Sequence, residues 1–375
     1  MKKQIMTLAT IATCLAQVNL NLLPSAPNLD NKGYILVAEN TSKIIAAQNA
    51  EQTIEPASLT KLMTLFIVAT ALEQKTINLD DQVLVSKKAW KQPGSRMFIK
   101  AGDHVPVKLL IQGSATVSGN DATVALAEHI AGSEEKFVEL MNTTASKLGM
   151  KNTHFNNSTG LPTKNHITTP HDLAILAEAW YEDYPEKTKW FAQKYFTYNK
   201  IKQHNRNQQL WSNQLVDGMK TGYTKAAGYC LVTSAKDGDE RLIAVIAGAK
   251  SKNARFEQST QLLNYGFHFY ATKTLASPAV ALGTVPVYLG TKDSLAYTTS
   301  KSLIITAEKN SPNVVKVTTH VKSNLKAPIH KGEKLGTAEI SFGDNKNTVD
   351  IIAFEDIEKS SFFQQAISYS KMLLN

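Results

Sequence analysis

The sequence predicts an α+β protein of more than one domain: a sheet covered by helices, then a smaller all-β domain, then a terminal amphipathic helix. Its 375 residues are more than a single hydrophobic core usually serves. Up to about residue 272, strand patterns lie on both sides of a helical middle, which is typical of helices packed on a sheet. Short strand patterns separated by Gly, Pro and Asn turns follow, and they indicate the all-β domain.

The first residues have the features of a signal peptide, which we place at residues 1–26. Two lysines after Met1 precede a short apolar run, and small residues follow it. The apolar run is too short to span a bilayer convincingly. Cleavage after Ala16 and cleavage after Ala26 both agree with the pattern. The sequence therefore predicts an exported protein.

Composition argues against several classes of function. The formal net charge is +9 without a long basic block, so we expect an anionic surface such as membrane or cell wall as a partner, and no nucleic acid. The histidines show no metal-binding spacing, and no Gly-rich phosphate loop occurs. We therefore expect no metal and no cofactor, and we expect His204 to be structural. Loss of Cys14 with the signal would leave Cys230 alone, so no internal disulfide is expected.

The elements before residue 272 are predicted from periodicity and from end signals. Two strands, at 34–38 and 43–47, flank a turn. A helix then starts near Pro56 and runs to about Glu73, because Pro suits a first helical turn and helix formers follow it. The remaining helices are predicted at 107–112, 121–131, 134–148, 170–181 and 253–269, and the remaining strands around 220–222, at 229–234 and at 241–249.

The all-β domain is predicted for residues 273–354. Its strands are expected at 285–289, 303–306, 314–321, 337–340 and 349–353, and no catalytic pattern occurs among them. Residues 355–375 are predicted to form an amphipathic helix, because apolar residues that include the pair Phe362-Phe363 recur at helical spacing. We expect this helix to lie in a membrane interface. A helix packed on its own domain, or a coil, is the alternative.

Ser58 and Lys61 are the first candidates for chemistry. On a helix they stand three residues apart and share one face. Ser58 would lie in the first turn, where free backbone N–H groups favour developing negative charge. Lys61 begins a stretch that is apolar nearly all round, so burial would favour a neutral amine that can take the serine proton. The pair is typical of an activated nucleophile, although S-x-x-K alone is common by chance.

Two further motifs make the pattern specific. Ser118-Gly119-Asn120 precedes a predicted helix, for which Asn120 or Asp121 is the expected cap. Lys220-Thr221-Gly222 lies on a predicted strand. S-x-x-K, S-x-N and K-T-G, in this order and at wide spacing, are the signature of penicillin-binding proteins and serine β-lactamases. Together they supply the nucleophile, base, second proton carrier, amide holder and cation that a serine acyl-enzyme mechanism needs.

Longer stretches around these motifs resemble the D-alanyl-D-alanine carboxypeptidases, the low-molecular-mass penicillin-binding proteins. The likeness includes residues 56–64, 118–122, 203–207 and 216–222 and extends over nearly the whole chain. It implies a penicillin-recognising, β-lactamase/transpeptidase-like domain at residues 27–272, a sandwich-like second domain, and peripheral attachment to the periplasmic face of the inner membrane. It also implies removal of the terminal D-alanine from peptidoglycan stem peptides, with penicillin and other β-lactams binding covalently at the same serine.

The resemblance assigns the catalytic roles by position. It makes Ser58 the nucleophile that becomes acylated and Lys61 the acceptor of its proton. It makes Ser118 the relay of a proton toward the leaving D-alanine nitrogen, and Asn120 the residue that holds the substrate amide. The backbone N–H groups of the nucleophile and of Tyr223 would form the oxyanion hole, where donors aimed at the tetrahedral oxygen lower the barrier.

The remaining substrate contacts implied by the resemblance lie on the K-T-G strand and on one arginine. Lys220 and Thr221 would face the terminal carboxylate, and Gly222 completes the motif. Arg255 matches a family arginine near the carboxylate end. Some family members have His after K-T-G, where this chain has Tyr223, so the backbone N–H is kept while the side-chain contacts differ.

Three alternative functions use the same features. A class A β-lactamase would need a deacylating Glu between the second and third motifs, and the nearest candidate, Glu139, lies inside a predicted helix. Transpeptidase or endopeptidase activity would use the same residues with another acceptor or another bond. A wall-binding protein with relic catalytic residues would still have the all-β domain and the terminal helix. Because all three motifs are intact, the sequence favours an active carboxypeptidase.

Overall fold

The computed structural model describes residues 23–311, 315–342, 345–362 and 365. The predicted signal peptide lies almost entirely outside the described residues, and so does most of the predicted terminal helix. None of the helices within the described ranges is long and apolar enough to cross a bilayer.

The first domain has strands before and after a mostly helical middle and ends in a long helix. Its strands are β1 (Gly33–Ala38), β2 (Lys43–Gln48), β3 (Gln82–Leu84), β4 (His104–Pro106), β5 (Tyr195–Tyr198), β6 (Ile201–His204), β7 (Val216–Thr224), β8 (Gly228–Asp237) and β9 (Glu240–Ala249). Its helices are α1 (Lys61–Glu73), α2 (Lys87–Trp90), α3 (Val107–Val117), α4 (Asn120–Ala131), α5 (Glu134–Leu148), α6 (Pro170–Asp183), α7 (Lys189–Ala192), α8 (Gln209–Ser212) and α9 (Lys252–Phe269). The predicted long strands and helices are present, although α1 begins later and α3 ends later than predicted. The shortest strands and helices carry too little periodicity to be predicted.

A five-stranded antiparallel sheet, in the order β2-β1-β9-β8-β7, separates two hydrophobic layers. Alternation along β1 directs Ile35 and Val37 into one core, and Tyr34 and Leu36 into the other. Helices α1 and α3 to α6 contribute to the first core, and α9 contributes to the second. Strand β7 is at the edge of the sheet. The third motif therefore lies where the sheet is open on one side.

The second domain starts directly after α9 and is built from strands. They are β10 (Tyr270–Ala276), β11 (Gly283–Tyr288), β12 (Ser294–Thr299), β13 (Leu303–Glu308), β14 (Lys316–Val321), β15 (Leu325–Lys326), β16 (Lys334–Phe342) and β17 (Asn345–Ala353). Six of them form a sheet in the order β14-β16-β17-β12-β11-β15, and β10 pairs with β13. The prediction of an all-β domain is confirmed, and β10, β12 and β15 add to the predicted strands.

Residues 355–361 differ from the prediction, which places them in the terminal helix. They are not helical, and Ile357 forms an isolated β-bridge with Ile329. Ile357 is also buried in the core of the second domain. Backbone pairing with a neighbouring segment and burial of an apolar side chain outweigh a helical pattern whose apolar residues begin only at Phe362. The rest of the predicted helix lies outside the described residues.

Candidate active site

The proposed nucleophile lies in a tight turn that precedes an α-helix. Residues Ala57–Thr60 form a 3₁₀-helical turn, and α1 begins only at Lys61. The prediction that the α-helix starts near Pro56 and contains Ser58 is therefore wrong. Ala57 has a φ of 48°, in the left-handed region, whereas a right-handed helix needs negative φ throughout. The chain thus makes a corner immediately before the serine.

Two glycines allow the backbones of two other segments to pack directly against this turn. A Cβ on Gly160 would lie 1.7 Å from the Ala57 carbonyl oxygen, and Gly160 itself has a φ of 85°. A Cβ on Gly222, in β7, would lie 3.0 Å from the Pro56 carbonyl oxygen. No side chain fits at the first position, and any side chain is tight at the second. Glycine therefore allows the loop and the third-motif strand to meet the serine turn.

Lys61 is fully buried at the start of α1 and contacts three oxygens. Its Nζ lies 3.1 Å from Ser58 Oγ, 2.7 Å from Asn120 Oδ1 and 2.6 Å from the Thr159 carbonyl oxygen. Burial, reinforced by the positive charge of Lys220, holds the pKa of Lys61 well below its usual range. The lysine is therefore suited to act as a base at hydrogen-bond distance from the serine hydroxyl.

The second motif lies where α3 ends and α4 begins. Ser118 follows α3 with a φ of 62°, and the Lys220 Nζ donates to its Oγ at 3.0 Å. Asn120 is the first residue of α4. Its Oδ1 accepts from Lys61, while its Nδ2 donates to the Pro93 carbonyl at 2.6 Å. The motif thus connects the two buried lysines to a single helix junction.

Asp121 secures the loop beside this junction and does not cap α4. The N-cap is Gly119, without a side-chain cap hydrogen bond, so the prediction of Asn120 or Asp121 as the cap is wrong. The buried Asp121 carboxylate accepts hydrogen bonds from the backbone N–H groups of residues 97–99, and its Oδ1 also accepts from the adjacent Ala122 N–H. A buried carboxylate needs such donors because it has lost its water. These tertiary donors were not predictable from the local cap pattern.

The third motif lies on the edge strand β7, as the sequence predicts. Lys220 is buried, and burial together with the charges of Arg255 and Arg206 lowers its pKa to about 7. Thr221 and Gly222 line the cleft next to it. An anion bound there would favour the charged ammonium, because an opposite charge raises the pKa of an amine. The strand therefore offers a site for a carboxylate.

Arg255 and Tyr223 flank the far end of the motif. Arg255, on α9, is 5% exposed and donates from Nη1 to the Gly222 carbonyl at 3.3 Å. Burial lowers the pKa of Arg255 to about 10. Tyr223 is 55% exposed, and its ring centre lies 4.3 Å from that of Tyr229. Arg255 thus supports the strand backbone, while the Tyr223 side chain faces solvent.

The predicted residues meet at one open cleft of about 730 Å³. The residues that line it directly are Ser58, Ser118, Thr221, Gly222, Tyr223 and Arg255, and the residues buried next to them are Lys61, Asn120 and Lys220. The cleft lining includes four Lys or Arg residues and no Asp or Glu. Such a cleft attracts an anionic molecule.

Sequence reasoning missed part of the cleft wall. Lys202 and Arg206 add positive charge to it. His204, which we expected to be structural, also lines the cleft, and its ring centre lies 5.2 Å from that of Tyr195. These residues belong to the short hairpin β5–β6 or follow it directly, and strands of this length give little periodic signal. The family resemblance of residues 203–207 was the signal that pointed to this stretch.

Within the described parts of the chain, no group of three or more His, Cys, Asp or Glu side chains is placed to hold a metal ion. The absence of a cofactor stays a prediction. What the described site does provide is a serine beside a buried lysine, a second serine beside another buried lysine, and a basic cleft. This arrangement, on an antiparallel sheet between helical layers, defines a serine acyl-transfer enzyme of the penicillin-recognising class.

The chain belongs to the D-alanyl-D-alanine carboxypeptidase family, peptidase family S11, which it matches over residues 21–251. Residues 270–359 match the C-terminal domain of penicillin-binding protein 5. The fold is accordingly that of a penicillin-binding protein with a transpeptidase-like first domain and an all-β second domain. The function is that of a serine-type D-alanyl-D-alanine carboxypeptidase acting in the bacterial cell wall.

Individual relatives match across both domains. The chain is 40% identical over 358 residues to the D-alanyl-D-alanine carboxypeptidase DacC of Escherichia coli strain K12. This match covers 92% of this chain and 89% of DacC. It is 37% identical over 342 residues to DacF of Bacillus subtilis strain 168, which covers 88% and 87% respectively. The crystal structure of penicillin binding protein 5 from Haemophilus influenzae has a TM-score of 0.77 and 36% identity, and the match covers 90% of this chain and 100% of that chain.

Proposed function

We propose that Ser58 is the nucleophile of this carboxypeptidase and that Lys61 is the base that activates it. The observation that carries the proposal is the 3.1 Å contact between Ser58 Oγ and the Nζ of a fully buried lysine. A neutral amine has two N–H donors and one lone pair. The two shorter contacts, to Asn120 Oδ1 and the Thr159 carbonyl, use the donors. The lone pair is then left for the serine proton.

The reaction follows from these positions. Ser58 Oγ attacks the carbonyl carbon of the penultimate D-alanine while its proton passes to Lys61 Nζ. The tetrahedral oxygen is held by the backbone N–H groups of Ser58 and Tyr223. The C–N bond then breaks, Ser118 delivers a proton to the leaving D-alanine nitrogen and takes one from Lys220 Nζ in return, and the acyl group stays on Ser58. Water then attacks this ester and gives up a proton through Ser118 to Lys220, while Lys61 returns its proton to Ser58 Oγ as the shortened peptide leaves. The 3.0 Å contact of Ser118 with Lys220 supports its role as proton carrier.

The charges of the cleft suit the end of the substrate. Lys220, Thr221 and Arg255 are proposed to bind the terminal carboxylate, and Gly222 keeps the strand close enough to the serine turn for that contact. Carboxylate binding would raise the lowered pKa of Lys220 and restore its charge. Asn120 is proposed to hold the substrate amide while it also orients the base.

We further propose that β-lactams acylate Ser58, because their strained amide carbonyl takes the place of the peptide carbonyl. Penicillin-binding protein D2 of Listeria monocytogenes, whose crystal structure is described as an ampicillin-bound form, supports this with 30% identity and a TM-score of 0.57, covering 64% of this chain and 99% of that chain. Fast β-lactamase turnover is not favoured. Glu139, the candidate base for deacylation, is exposed on α5 and does not line the cleft.

The pH dependence of D-alanine release tests the role of Lys61. A protonated lysine has no lone pair for the serine proton, so kcat/KM is expected to rise with pH as Lys61 deprotonates. Because the pKa of Lys61 is held well below its usual range, this rise should be centred well below the usual pKa of lysine. The measurement is D-alanine release from a peptide ending in Lys-D-Ala-D-Ala, followed between about pH 5 and 10.

The rate of β-lactam acylation serves as the control for this profile. If the rise in rate reflects the pKa of Lys61 in the free enzyme, it must occur at the same pH for the peptide and for the β-lactam. Both substrates react with the same serine. A profile without any rising limb below the usual pKa of lysine would contradict the assignment of Lys61 as the base, whereas a fall at higher pH is expected as Lys220, with a pKa of about 7, loses the charge that binds the carboxylate.

We propose that the enzyme is exported and attaches peripherally to the inner membrane through residues 362–375. The helical spacing of the apolar residues and the net charge of +9 support this. The full chain is expected to sediment with vesicles of anionic phospholipid, whereas a chain that ends at residue 361 stays in solution. If the two chains sediment to the same extent, or if neither sediments with the vesicles, attachment through this segment is contradicted.

A further inference from the structure

His166 is a buried histidine near the serine turn that belongs to none of the three motifs. It is 2% exposed, and its ring meets Phe155 edge to face. Both ring nitrogens have partners. The backbone N–H of Asn156 donates to Nδ1 at 3.0 Å, and Nε2 lies 2.8 Å from Thr60 Oγ1. The ring is therefore held in one orientation between the loop after α5 and the serine turn.

The direction of each hydrogen bond in this cluster follows from the available protons. A backbone N–H only donates, so Nδ1 accepts and the neutral ring carries its proton on Nε2. Nε2 therefore donates to Thr60 Oγ1. The Thr60 hydroxyl has one proton, which it donates to the Ala57 carbonyl oxygen at 2.8 Å. A directed path thus runs from His166 through Thr60 to Ala57.

The path ends at the residue that aims the nucleophile. Ala57 directly precedes Ser58, and its φ of 48° is one that residues other than glycine, asparagine and aspartate rarely adopt. Such a conformation persists only where the surroundings hold it. Two contacts meet at the Ala57 carbonyl oxygen: the hydroxyl of Thr60 and the closely packed backbone of Gly160. Both depend on the loop that ends at His166.

The same loop also contacts the base. The Thr159 carbonyl accepts from Lys61 Nζ at 2.6 Å, and Asn157 Oδ1 accepts from the N–H groups of Thr159 and Gly160. Residues 156–166 therefore hold Lys61 at one point and the serine turn at another. His166 itself does not line the cleft, and in the part of the chain that the structure describes its side chain connects to the serine turn through Thr60.

We propose that His166, acting through Thr60, is a positioning residue that keeps Ser58 aligned with Lys61 for acylation. The inference rests on the proposed role of Ser58 as the nucleophile. It is distinct from substrate binding, since neither His166 nor Thr60 lines the cleft. Loss of the path is therefore expected to slow the acylation step while leaving the affinity of the first, non-covalent complex unchanged.

The charge state of the histidine agrees with this role. Burial, together with the nearby His154 and Lys61, lowers the pKa of His166 to about 4. The ring is thus neutral at neutral pH. Neutrality is needed, because a ring protonated on both nitrogens has no acceptor for the Asn156 N–H.

The test measures single-turnover acylation of the full chain by a chromogenic cephalosporin over a range of concentrations, which separates the acylation rate constant from the dissociation constant of the first complex. Thr60→Val and His166→Phe are each expected to lower the acylation rate constant about 10- to 100-fold, with the dissociation constant nearly unchanged. Thr60→Ser keeps the hydroxyl and is expected to acylate at close to the wild-type rate. The double variant Thr60→Val/His166→Phe should be little slower than the slower single variant, because both changes break one path.

Rates are compared per folded molecule, using the fraction of chains that finally carries the adduct by intact mass. Thr60→Val is nearly isosteric with the wild-type side chain, so it tests the path even if His166→Phe folds poorly. The inference would be overturned if Thr60→Val acylates at the wild-type rate, or if Thr60→Val and Thr60→Ser lose acylation rate equally. It would also be overturned if the losses in rate of the two single variants multiply in the double variant. A wild-type chain that forms no adduct on Ser58 would overturn the proposed function and this inference with it.

Discussion

Replacing Ser58 with Ala is expected to lower the rate of D-alanine release by at least about 10⁴-fold and to abolish covalent labelling by β-lactams. The substitution removes only Oγ, the atom that attacks the carbonyl. The surrounding turn does not depend on that atom, because Leu59 N donates to the Pro56 carbonyl at 3.1 Å and Thr60 Oγ1 to the Ala57 carbonyl at 2.8 Å. The variant should therefore fold and still bind the peptide. Release is measured on a peptide ending in Lys-D-Ala-D-Ala.

Ser95→Ala is the matched control, because Ser95 also lines the cleft and loses the same atom. It is expected to release D-alanine at close to the wild-type rate. Release by Ser58→Ala at the wild-type rate would move the chemistry to another group and remove the basis of the proposed mechanism. Release by neither wild type nor variant, with wall binding retained, would favour a protein whose catalytic residues are relics.

Replacing Lys61 with Met is expected to lower the acylation rate about 10²- to 10⁴-fold, which is the range that a positioned general base contributes. Met has a similar length but no basic nitrogen. The change also leaves Asn120 Oδ1 and the Thr159 carbonyl without their buried donor, which costs about 1–3 kcal/mol of stability for each unpaired group. The rate is therefore measured by β-lactam acylation at a temperature where urea unfolding shows the variant to be folded.

The variant Lys61→Arg tests whether Lys61 acts as a base or only as a fixed positive charge. Arginine keeps N–H donors but does not lose its proton in proteins, so it cannot accept the serine proton. We expect Lys61→Arg to be as slow as Lys61→Met. Lys202→Met, at an exposed lysine of the same cleft, is the control and should acylate with little change in rate. Fast acylation by Lys61→Arg would show that the residue acts by its charge.

The cost of burying two lysines explains why the site needs so many fixed oxygens. Lys61 and Lys220 are both buried, and the charge of Lys220 lowers the pKa of Lys61 further. A buried ammonium without partners is expensive, and two of them repel each other. The contacts with Ser118, Asn120 and Thr159 offset part of that cost. At Lys61, the neutral amine that results is the form that the proposed chemistry requires.

Local sequence was enough for the long elements and for the residue types of the site. Helix α5 begins at Glu134 and ends at Leu148, as predicted, because its amphipathic spacing and the Ser133 cap act within the element. The K-T-G motif lies on a strand, as predicted. The pairing of Ser58 with Lys61 also needed only a spacing of three residues. Amphipathic spacing, helix capping and a three-residue separation are local properties, so the sequence of a short segment is enough to reveal them.

Contacts between distant segments account for what local patterns missed. Asp121 was expected to act as a helix cap, but three backbone N–H groups of a separate loop hold its carboxylate. The left-handed Ala57, at which a 3₁₀-helical turn replaces the start of an α-helix, packs against Gly160 and accepts a hydrogen bond from Thr60. Residues 355–361 were expected to be helical, but Ile357 is buried in the second domain. In each case a tertiary partner outweighs a local preference.

The residues proposed to carry the chemistry can be read from the three motifs, since each motif places two functional groups within a few positions of one another. The protonation state and the orientation of these residues could be known only from the folded structure. The oxygens that orient Lys61 come from residues 59 and 98 positions away, and the basic wall with Arg206 comes from another part of the chain. The pKa and the direction of a buried amine are set by desolvation and by such long-range neighbours, and no local pattern encodes either.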